Sequence, residues 1–272
     1  MTFQQLRDRP HLSVSSVREY LDCGLRYKFS RIDKLQPEYT ADVLVFGRAI
    51  HKTLEQYYNA KLEGEPISCN DLQVVFELMF QQAADACSIV RYRDGSSYTT
   101  LVDQGKTLIA TYLDEIPDAA FTVLATEQPF ILELEDLPVP VIGIIDLVEE
   151  DDDGTVVITE FKTSARKYTR EEVERHHQLT LYGLAARRTG FADRRIILRI
   201  DCLMKTKTPR LDQFYAIRTD QDEQRLIRLL QEVWRGISQG IFIPNLTNWK
   251  CPTCEYKHYC DEYLTTKERR SP

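Results

Sequence analysis

Two apolar, β-branched runs on either side of an acidic turn constrain this chain most, because they predict a β-hairpin. Residues 143–164 read GIIDLVEEDDDGTVVITEFKTS, and the turn contains Asp153-Gly154, a dipeptide typical of hairpin turns. Three charged residues interrupt the apolar runs: Asp146 in the first, and Glu160 and Lys162, two positions apart, in the second. These charges either cover a solvent-facing side of the hairpin or belong to a functional site.

Around the hairpin, the spacing of apolar residues changes from helical to extended near residue 120. Helical spacing predicts helices over 13–30, 41–62, 70–90, 98–115, 170–189 and 220–239. Alternating or continuous apolar residues predict strands over 121–134, 139–149, 155–162, 194–204 and 213–218. This order predicts a mixed central β-sheet flanked by helices, the α/β class, in a single domain over residues 1–272. We divide it into a helical N-terminal region (13–116), a core (117–240) and a cysteine-bearing tail (244–263).

The composition is that of a soluble protein. Charged residues make up 28% of the chain, and no apolar run approaches the roughly 20 residues of a membrane span. The N-terminal stretch MTFQQLRDRPHLS contains no apolar signal-peptide core. We therefore expect a cytoplasmic protein that does not associate with a membrane.

The net charge of −7 argues weakly against nucleic-acid binding, but it conceals an asymmetry. Residues 161–218 hold 14 Lys/Arg and 6 Asp/Glu, a net charge of +8, whereas the remainder holds 21 and 36, a net charge of −15. One basic third of a chain can still bind phosphates. A chance excess of cations on solvated faces explains the asymmetry about equally well.

The charges of the hairpin have two explanations. Residues two apart on a strand point to the same side, so Glu160 and Lys162 share a face, and Asp146 is expected opposite Glu160. Two ionised carboxylates at that distance repel each other, and a divalent cation removes this cost. The alternative is a solvated face with an ion pair between Glu160 and Lys162. The apolar neighbours of these residues disfavour it, because buried unpaired charges are costly.

The hairpin resembles the PD-(D/E)XK nuclease superfamily, in which an Asp ending a G-x-x-D strand is followed by E-x-K-T-S. Two further motifs resemble the RecB-like branch: GRAIH, which ends in His51, and Gln178-x-x-x-Tyr182. The resemblance implies a restriction-endonuclease-like core and a metal-dependent DNA exonuclease that acts on DNA ends, often single-stranded. It implies Mg²⁺ or Mn²⁺ bound by His51, Asp146 and Glu160. It also implies a catalytic set of Lys162, Asp146, Glu160, Gln178 and Tyr182.

Several residues are expected to assist. We expect basic residues of the 162–210 region to guide the DNA backbone: Arg166, Lys167, Arg170, Lys205 and Lys207. Glu55, one helical turn after His51, and Glu127, on the strand before the hairpin, are further candidates near the metal. His176 and His177 are assigned nothing beyond a phosphate contact.

Four of the seven cysteines form a separate pattern. Cys251, Cys254 and Cys260 are clustered in a Pro-containing tail, and Cys23 lies far upstream. Four thiolates suit a [4Fe–4S] cluster or a Cys₄ zinc site. The spacing resembles that of iron–sulfur nucleases of the AddB type and of the CRISPR adaptation nucleases, which favours a structural [4Fe–4S] cluster. His258 is a spare ligand that matters more for zinc. Cys69, Cys87 and Cys202 are expected to be buried thiols.

Three alternatives to a recombination or repair nuclease remain. A CRISPR adaptation nuclease would trim spacer precursors beside an integrase, although the helical stretch at 70–115 is longer than its compact form requires. A catalytically silent DNA-binding module is disfavoured, because it would not need the charged residues that are all present: His51, Asp146, Glu160 and Lys162. A zinc-stapled binding module is separable by metal analysis. Because the chain has no Walker A motif, any helicase partner would be a separate chain.

Overall fold

The predicted hairpin forms the centre of a five-stranded sheet. The computed structural model describes residues 3–116 and 121–266. Its strands are β1 (Thr40–Ala41), β2 (Val90–Arg91), β3 (Thr122–Leu132), β4 (Val141–Glu150), β5 (Val156–Ser164), β6 (Ile196–Met204) and β7 (Arg210–Ala216). β3 to β7 form the sheet in chain order, and β1 and β2 form a small parallel pair. Gly154, with a φ of +78°, occupies the left-handed conformation that the tight turn requires.

One step in the sheet is parallel and the others are antiparallel. β5 pairs with β6 in parallel, from Val156 opposite Ile196 to Ser164 opposite Met204, whereas β3–β4, β4–β5 and β6–β7 are antiparallel. A parallel step needs a crossover, which the helical segment between β5 and β6 supplies. The carboxyl ends of β5 and β6 therefore lie at one edge of the sheet.

Helices cover both faces of this sheet, which confirms the predicted α/β fold class. They are α1 (Phe3–Arg7), α2 (Val14–Asp22), α3 (Gly24–Tyr27), α4 (Asp42–Glu63), α5 (Cys69–Asp85), α6 (Tyr98–Glu115), α7 (Arg170–Glu174), α8 (His177–Thr189), α9 (Asp220–Ser238) and α10 (Lys257–Thr265). A π-helical turn spans Lys28–Ile32 and a 3₁₀ turn spans Cys251–Thr253. No helix in the described part of the chain is long and apolar enough to span a bilayer.

Alternating strand residues divide the apolar core into two large clusters, as the period of two requires. Leu147 and Phe161 face the helices α4, α5 and α6. Val148 and Ile158 face the other side, with α2, α8 and α9. A third cluster is small and centres on three buried residues, Leu25, Phe29 and Tyr256, near the cysteines.

Two of the predicted helices are broken. The helix expected over 13–30 stops at Cys23, whose backbone is extended (φ −165°, ψ 111°). The helix expected over 170–189 stops at Arg175 and restarts at His177. Arg218 stabilises the second break because its guanidinium donates to the Val173 carbonyl at 2.8 Å. Apolar periodicity missed both breaks because it continues across them.

Smaller corrections concern the ends of elements. The helix predicted over 70–90 ends at Asp85, and the last strand runs over Arg210–Ala216 instead of 213–218. Cys202 is buried as expected, but Cys69 and Cys87 are only half-buried, so that part of the prediction was wrong. Cys87 lies beyond the end of α5, where its thiol donates to the Ala83 carbonyl at 3.2 Å.

Candidate functional site

Asp146 lies on β4, one residue before the segment of β4 that pairs with β5. Leu147 is opposite Thr159, so the next position places Asp146 beside Glu160. The Asp146 side chain is only 9% exposed, and its Oδ2 accepts a hydrogen bond from the Phe161 backbone N–H at 2.9 Å. Asp146 is therefore held by the sheet backbone itself.

Glu160 is almost fully buried, with 1% of its surface exposed. The Lys162 ammonium, on the same face of β5, donates to Glu160 Oε1. Burial, reinforced by the Asp146 carboxylate, raises the pKa of Glu160 to about 7 from an ordinary value of 4.5. Burial alone would lower the pKa of Lys162, but attraction to Glu160 outweighs it and raises that pKa, so Lys162 stays protonated.

His51 extends towards Asp146 and Glu160 from α4, which packs on the face of the sheet opposite to α8. Its Nδ1 lies 3.3 Å from Asp146 Oδ2, and its ring packs edge-on against Phe161, with ring centroids 6.1 Å apart. Burial disfavours the imidazolium, yet the Asp146 carboxylate outweighs it and raises the pKa of His51. Burial likewise opposes ionisation of Asp146, but His51 and the Phe161 N–H together lower its pKa.

Gln178 and Tyr182, one turn apart on α8, complete the polar cluster from the other face. Gln178 Oε1 accepts from Lys162 Nζ at 3.1 Å, and its Nε2 donates to Glu160 Oε2 at 2.6 Å and to the Tyr182 hydroxyl at 2.8 Å. The Tyr182 hydroxyl donates to the Ile144 carbonyl at 2.5 Å. One amide thus fixes both charged side chains of β5, and α8 is tied to β4.

A close packing contact positions Tyr182. Gly143 is opposite Phe130 in the β3–β4 register, and a Cβ added at Gly143 would lie 2.3 Å from Phe130 Cζ. The Phe130 ring packs edge-on against Tyr182, with ring centroids 6.0 Å apart. The glycine of the G-x-x-D strand therefore makes room for the ring that supports Tyr182.

Three ligand atoms converge as a divalent cation requires. One ligand atom each from His51, Asp146 and Glu160 lies within 4.8 Å of the other two. Two carboxylate oxygens with one imidazole nitrogen suit Mn²⁺, and carboxylates suit Mg²⁺. The residues present therefore fit the metal that the sequence motifs imply.

The two further acidic candidates, Glu127 and Glu55, share one cation, because Lys52 pairs with Glu55 and lies 4.0 Å from Glu127. Glu127 lies across from Asp146 on β3, between the pairs Thr126–Leu147 and Gln128–Ile145. Its φ of +44° is in the left-handed region, which is strained for a non-glycine residue. Burial, then Asp146, raises the pKa of Glu127. The Glu55 side chain is 18% exposed, and its charge also contributes to the raised pKa of Glu127.

The predicted DNA-contacting cations follow the carboxyl ends of β5 and β6. Arg166 pairs with Glu172 at 2.5 Å, and Arg170 pairs with Glu174 at 2.6 Å. Lys167 lies 5.9 Å from the ring centroid of Phe214. All three are exposed. They lie after β5, on the edge of the sheet that also carries Lys162.

The β6–β7 turn carries the other two cations. Lys205 donates its backbone N–H to the Ser164 carbonyl at 2.7 Å, and its ammonium lies 4.9 Å from the ring centroid of Phe46. Burial lowers the pKa of Lys205. Lys207 is exposed in the same turn. Lys205 is therefore the least accessible of the predicted DNA contacts.

His176 does not suit the phosphate contact considered for it. Burial, then Lys162 and Arg18, lowers the pKa of His176 to about 3, so the imidazole is neutral near neutral pH. Burial also lowers the pKa of His177. Neither ring offers a positive charge to a phosphate under those conditions.

The four cysteines of the separate pattern lie in one neighbourhood. Cys23 is at the break between α2 and α3, and its Sγ accepts from the Asn245 backbone N–H at 3.4 Å. Cys254 and Cys260 pack with Cys23 against the small cluster of Leu25, Phe29 and Tyr256. Burial, then Cys23 and Cys251, raises the pKa of Cys260.

Within the described part of the chain, His258 contacts Glu38 and Tyr259 and not the thiols. Its Nδ1 is 2.7 Å from Glu38 Oε1, and its ring lies against Tyr259, with ring centroids 3.7 Å apart. The cysteine neighbourhood therefore offers four thiols, with the imidazole engaged by a carboxylate.

Comparisons with known proteins identify the family and the fold of the chain. Residues 11–261 match the family profile of the PD-(D/E)XK nuclease superfamily. No curated protein gives a significant match. A crystal structure from Eubacterium rectale described as "Putative exonuclease" is 12% identical, with a TM-score of 0.56 over 98% of this chain and 97% of that one. The structure of SSO0001 is 16% identical, with a TM-score of 0.38 over 92% and 96%.

The family match spans almost the whole chain and includes every residue of the His51, Asp146, Glu160 and Lys162 cluster. The likeness to the Eubacterium rectale structure shows a shared fold. The chain therefore belongs to the PD-(D/E)XK nuclease superfamily.

Proposed function

We propose that this nuclease is a cytosolic, Mg²⁺- or Mn²⁺-dependent deoxyribonuclease of the RecB-like branch that degrades DNA from its ends. The observation that carries the proposal is the convergence of His51, Asp146 and Glu160 beside a protonated Lys162. The other contacts of the cluster support it, because Gln178 and Tyr182 hold the two β5 side chains in place. The fold shared with the Eubacterium rectale structure is consistent with it.

The charge balance of the cluster suits reversible cation binding. Without a cation, Lys162 and His51 offset the two carboxylates, and the raised pKa of Glu160, about 7, lets it bind a proton. Cation binding requires deprotonated ligands, so it competes with that proton and with the His51–Asp146 contact. We expect metal affinity to increase as the pH rises through 7.

His51, Asp146 and Glu160 would hold the cation. When bound, it supplies Lewis-acid stabilisation of the phosphate and lowers the pKa of a coordinated water. Lys162, which extends from the same face as Glu160, provides a fixed positive charge where negative charge develops on the phosphate oxygens. Gln178 orients the Lys162 ammonium, and the Tyr182 hydroxyl anchors Gln178. Glu127 lies close enough to Asp146 to adjust the electrostatics of the ligand set.

DNA would approach along the sheet edge that carries the ends of β5 and β6. Arg166, Lys167, Arg170 and Lys207 are exposed there, and cations on one edge attract the phosphate backbone. Arg166 and Arg170 are paired with glutamates. A DNA phosphate would therefore replace these carboxylates as the ion-pair partner of Arg166 and Arg170.

The activity is tested with end-labelled linear DNA, single- and double-stranded, and with a covalently closed single-stranded circle. Wild-type protein, purified without oxygen and supplied with Mn²⁺, should shorten the linear strands and leave the circle intact. Asp146→Asn should lose the activity because the ligand set loses a charge. Asp103→Asn, an exposed position on α6, is the matched control. Cleavage by Asp146→Asn at the wild-type rate would overturn the catalytic assignment, and cleavage of the circle would overturn end dependence.

For Cys23, Cys251, Cys254 and Cys260, we propose a structural [4Fe–4S] cluster. Cys23, Cys254 and Cys260 pack against one small apolar cluster, and four thiolates suit either a [4Fe–4S] cluster or a Cys₄ zinc site. The resemblance of the cysteine spacing to that of iron–sulfur nucleases favours the iron–sulfur cluster. Iron and zinc analysis of anaerobically purified protein separates the two.

The proposed cellular role is processing of DNA ends in recombination or repair, with any helicase or integrase as a separate chain. The helical stretch at 70–115 is longer than the compact form of a spacer-trimming nuclease requires. It forms α5 and α6, which pack against α4 around Phe76 and Leu108. Neighbouring genes test the role directly. Genes for an integrase of CRISPR adaptation beside this one would overturn it.

A further inference from the structure

A cleft lies between α2, the α7–α8 segment and α9. It is beside the proposed catalytic cluster, which consists of His51, Asp146, Glu160, Lys162, Gln178 and Tyr182. Its volume is about 630 Å³, within the range of sites that enclose a small molecule or a nucleotide. The cleft has an apolar lining formed by Val14, Val17, Leu21, Leu181, Leu226 and Leu230. It therefore offers apolar contact area next to a site that is otherwise charged.

The cleft is continuous with the catalytic cluster. Gln178, which hydrogen-bonds both Glu160 and Lys162, also lines the cleft. Ser164, at the end of β5 and two residues after Lys162, lines it as well. If a phosphate of a DNA strand lies at Lys162, the next nucleotide of that DNA strand would therefore enter the cleft.

The charges that line the cleft leave one cation uncompensated. Its carboxylates are paired: Asp22 with Lys250 at 2.8 Å, Glu171 with Arg175 at 3.0 Å and Glu172 with Arg166 at 2.5 Å. Arg18 lines the cleft, is exposed, and has no ion pair within residues 3–116 and 121–266. The lining therefore presents one arginine that is free to bind a phosphate, which matches its geometry.

Two aromatic rings form one side of the cleft. Tyr168 and His176 both line it, with ring centroids 6.3 Å apart and ring planes at 67°. His176 Nδ1 is buried and has no hydrogen-bond partner in the described part of the chain. A buried polar atom without a partner costs free energy, which a ligand hydrogen bond can recover. Aromatic walls with an apolar floor are the features that bind unstacked bases.

We propose that this cleft binds one nucleotide of a single DNA strand, adjacent to the phosphate at the catalytic cluster. The base would lie against the apolar lining and the rings of Tyr168 and His176, and the adjoining phosphate would contact Arg18. The inference rests on the proposed nuclease function and specifies its substrate as single-stranded DNA. A base in a duplex would first have to leave its stack, which costs a few kcal/mol.

Equilibrium binding tests this site separately from cleavage. Fluorescence anisotropy in EDTA would give Kd values for labelled oligothymidylate of about 12 nucleotides, for an abasic strand of equal length and for a matched duplex. Wild-type protein should bind oligothymidylate about tenfold more tightly than the abasic strand, since one stacked base contributes about 5- to 150-fold. The duplex should bind more weakly than oligothymidylate.

Two substitutions should separate base contacts from phosphate contacts. His176→Phe, which keeps a ring but removes the polar nitrogens, should weaken binding of oligothymidylate and leave the abasic strand unaffected. Arg18→Ala should weaken both strands and reduce the salt slope by about 1, and Arg18→Lys should restore most of the affinity. Arg195→Ala is the matched control. Arg195 is exposed, and its neighbour Ile196 pairs with Val156, roughly 20 Å along the strand from Lys162.

Equal affinity for the abasic strand and oligothymidylate would overturn the base site. An Arg18→Ala protein that matches Arg195→Ala in affinity and salt slope would overturn the phosphate contact. These outcomes are independent of hydrolysis, because EDTA removes divalent cations. If the expected binding pattern holds but wild-type protein with Mn²⁺ cleaves no DNA, the cleft is a single-strand site and the nuclease proposal fails.

Discussion

The proposed catalytic cluster and the cysteine-bearing tail differ in how much apolar packing surrounds them. Glu160 and Asp146 lie on central strands, between one large apolar cluster against α4 to α6 and another against α2, α8 and α9. In the described tail, 244–266, Tyr256 is the one buried apolar residue. The sheet can therefore hold buried charges in place, whereas the tail has little apolar burial of its own.

Polar contacts attach the tail to the N-terminal helices. The Asp22 carbonyl accepts from the Asn245 and Asn248 side chains at 3.0 and 3.1 Å, and Arg26 pairs with Glu255 at 2.5 Å. Partly solvent-accessible polar contacts such as these contribute little individually. The comparison indicates that substitutions in the cluster should remove activity and retain the fold. Substitutions of the tail cysteines should instead destabilise the fold.

The largest expected effect is on catalysis. Lys162→Ala should lower the rate of DNA cleavage roughly 100- to 1000-fold, because a preorganised positive charge at the phosphate is lost. The loss of stability should be modest, since Glu160, with a pKa of about 7 even beside Lys162, can take up a proton. Rates and melting temperatures should be compared with Lys106→Ala, which breaks a Lys–Glu pair away from the site. Wild-type activity in Lys162→Ala would contradict the role assigned to Lys162.

The second effect is on the tail. Cys254→Ala should lose the brown absorbance of anaerobically purified protein and lower the free energy of unfolding by about 3 kcal/mol or more, since metal binding supplies ordering energy. Proteolysis should then begin within 244–266. Cys69→Ala, a half-buried thiol on α5, should retain both colour and stability. A colourless wild type that is fully stable without iron would remove the proposed distinction between the two regions.

A smaller effect tests how the sheet supports the site. Gly143→Ala should destabilise the protein by about 1–3 kcal/mol, because the new Cβ would overlap the buried Phe130 ring. It should also reduce the cleavage rate, since Phe130 packs on Tyr182. Gly47→Ala on α4 meets nothing within 4 Å and should stabilise the helix by about 0.5–1 kcal/mol. Equal unfolding midpoints for the two variants would show that the Gly143 contact is unimportant.

A further effect is a pH dependence in the cluster region. The folded-state pKa of His176, about 3, lies below its ordinary value of 6.5, so unfolded chains bind the proton that the folded protein excludes. His176 should therefore reduce stability as the pH falls from about 6.5 towards 3. Melting temperatures of wild type and His176→Phe between pH 7 and 4 should diverge, with the variant losing less. Parallel curves would contradict a buried, neutral His176.

Local pattern was sufficient for the central strands, and the resemblance to the RecB-like branch supplied the residues of the candidate site. The alternation around Asp153-Gly154 predicted the hairpin, and the period of two placed Glu160 and Lys162 on one face. The helical period placed Gln178 and Tyr182 one turn apart. The broken helices at Cys23 and His176 were missed, because Arg218 and the extended backbone of Cys23 act through contacts that periodicity does not contain.

The sequence by itself determined the hairpin and its faces, since these depend on neighbours a few residues apart, and the resemblance of its motifs to the RecB-like branch supplied the candidate ligands. Only the tertiary structure decided that His51 meets Asp146 and that Gln178 bridges Glu160 and Lys162. It also decided that Arg18 lies by the α7–α8 segment. Such contacts depend on how α4 and α8 cover opposite faces of the sheet. Burial of whole apolar faces determines that packing, and no local spacing specifies it.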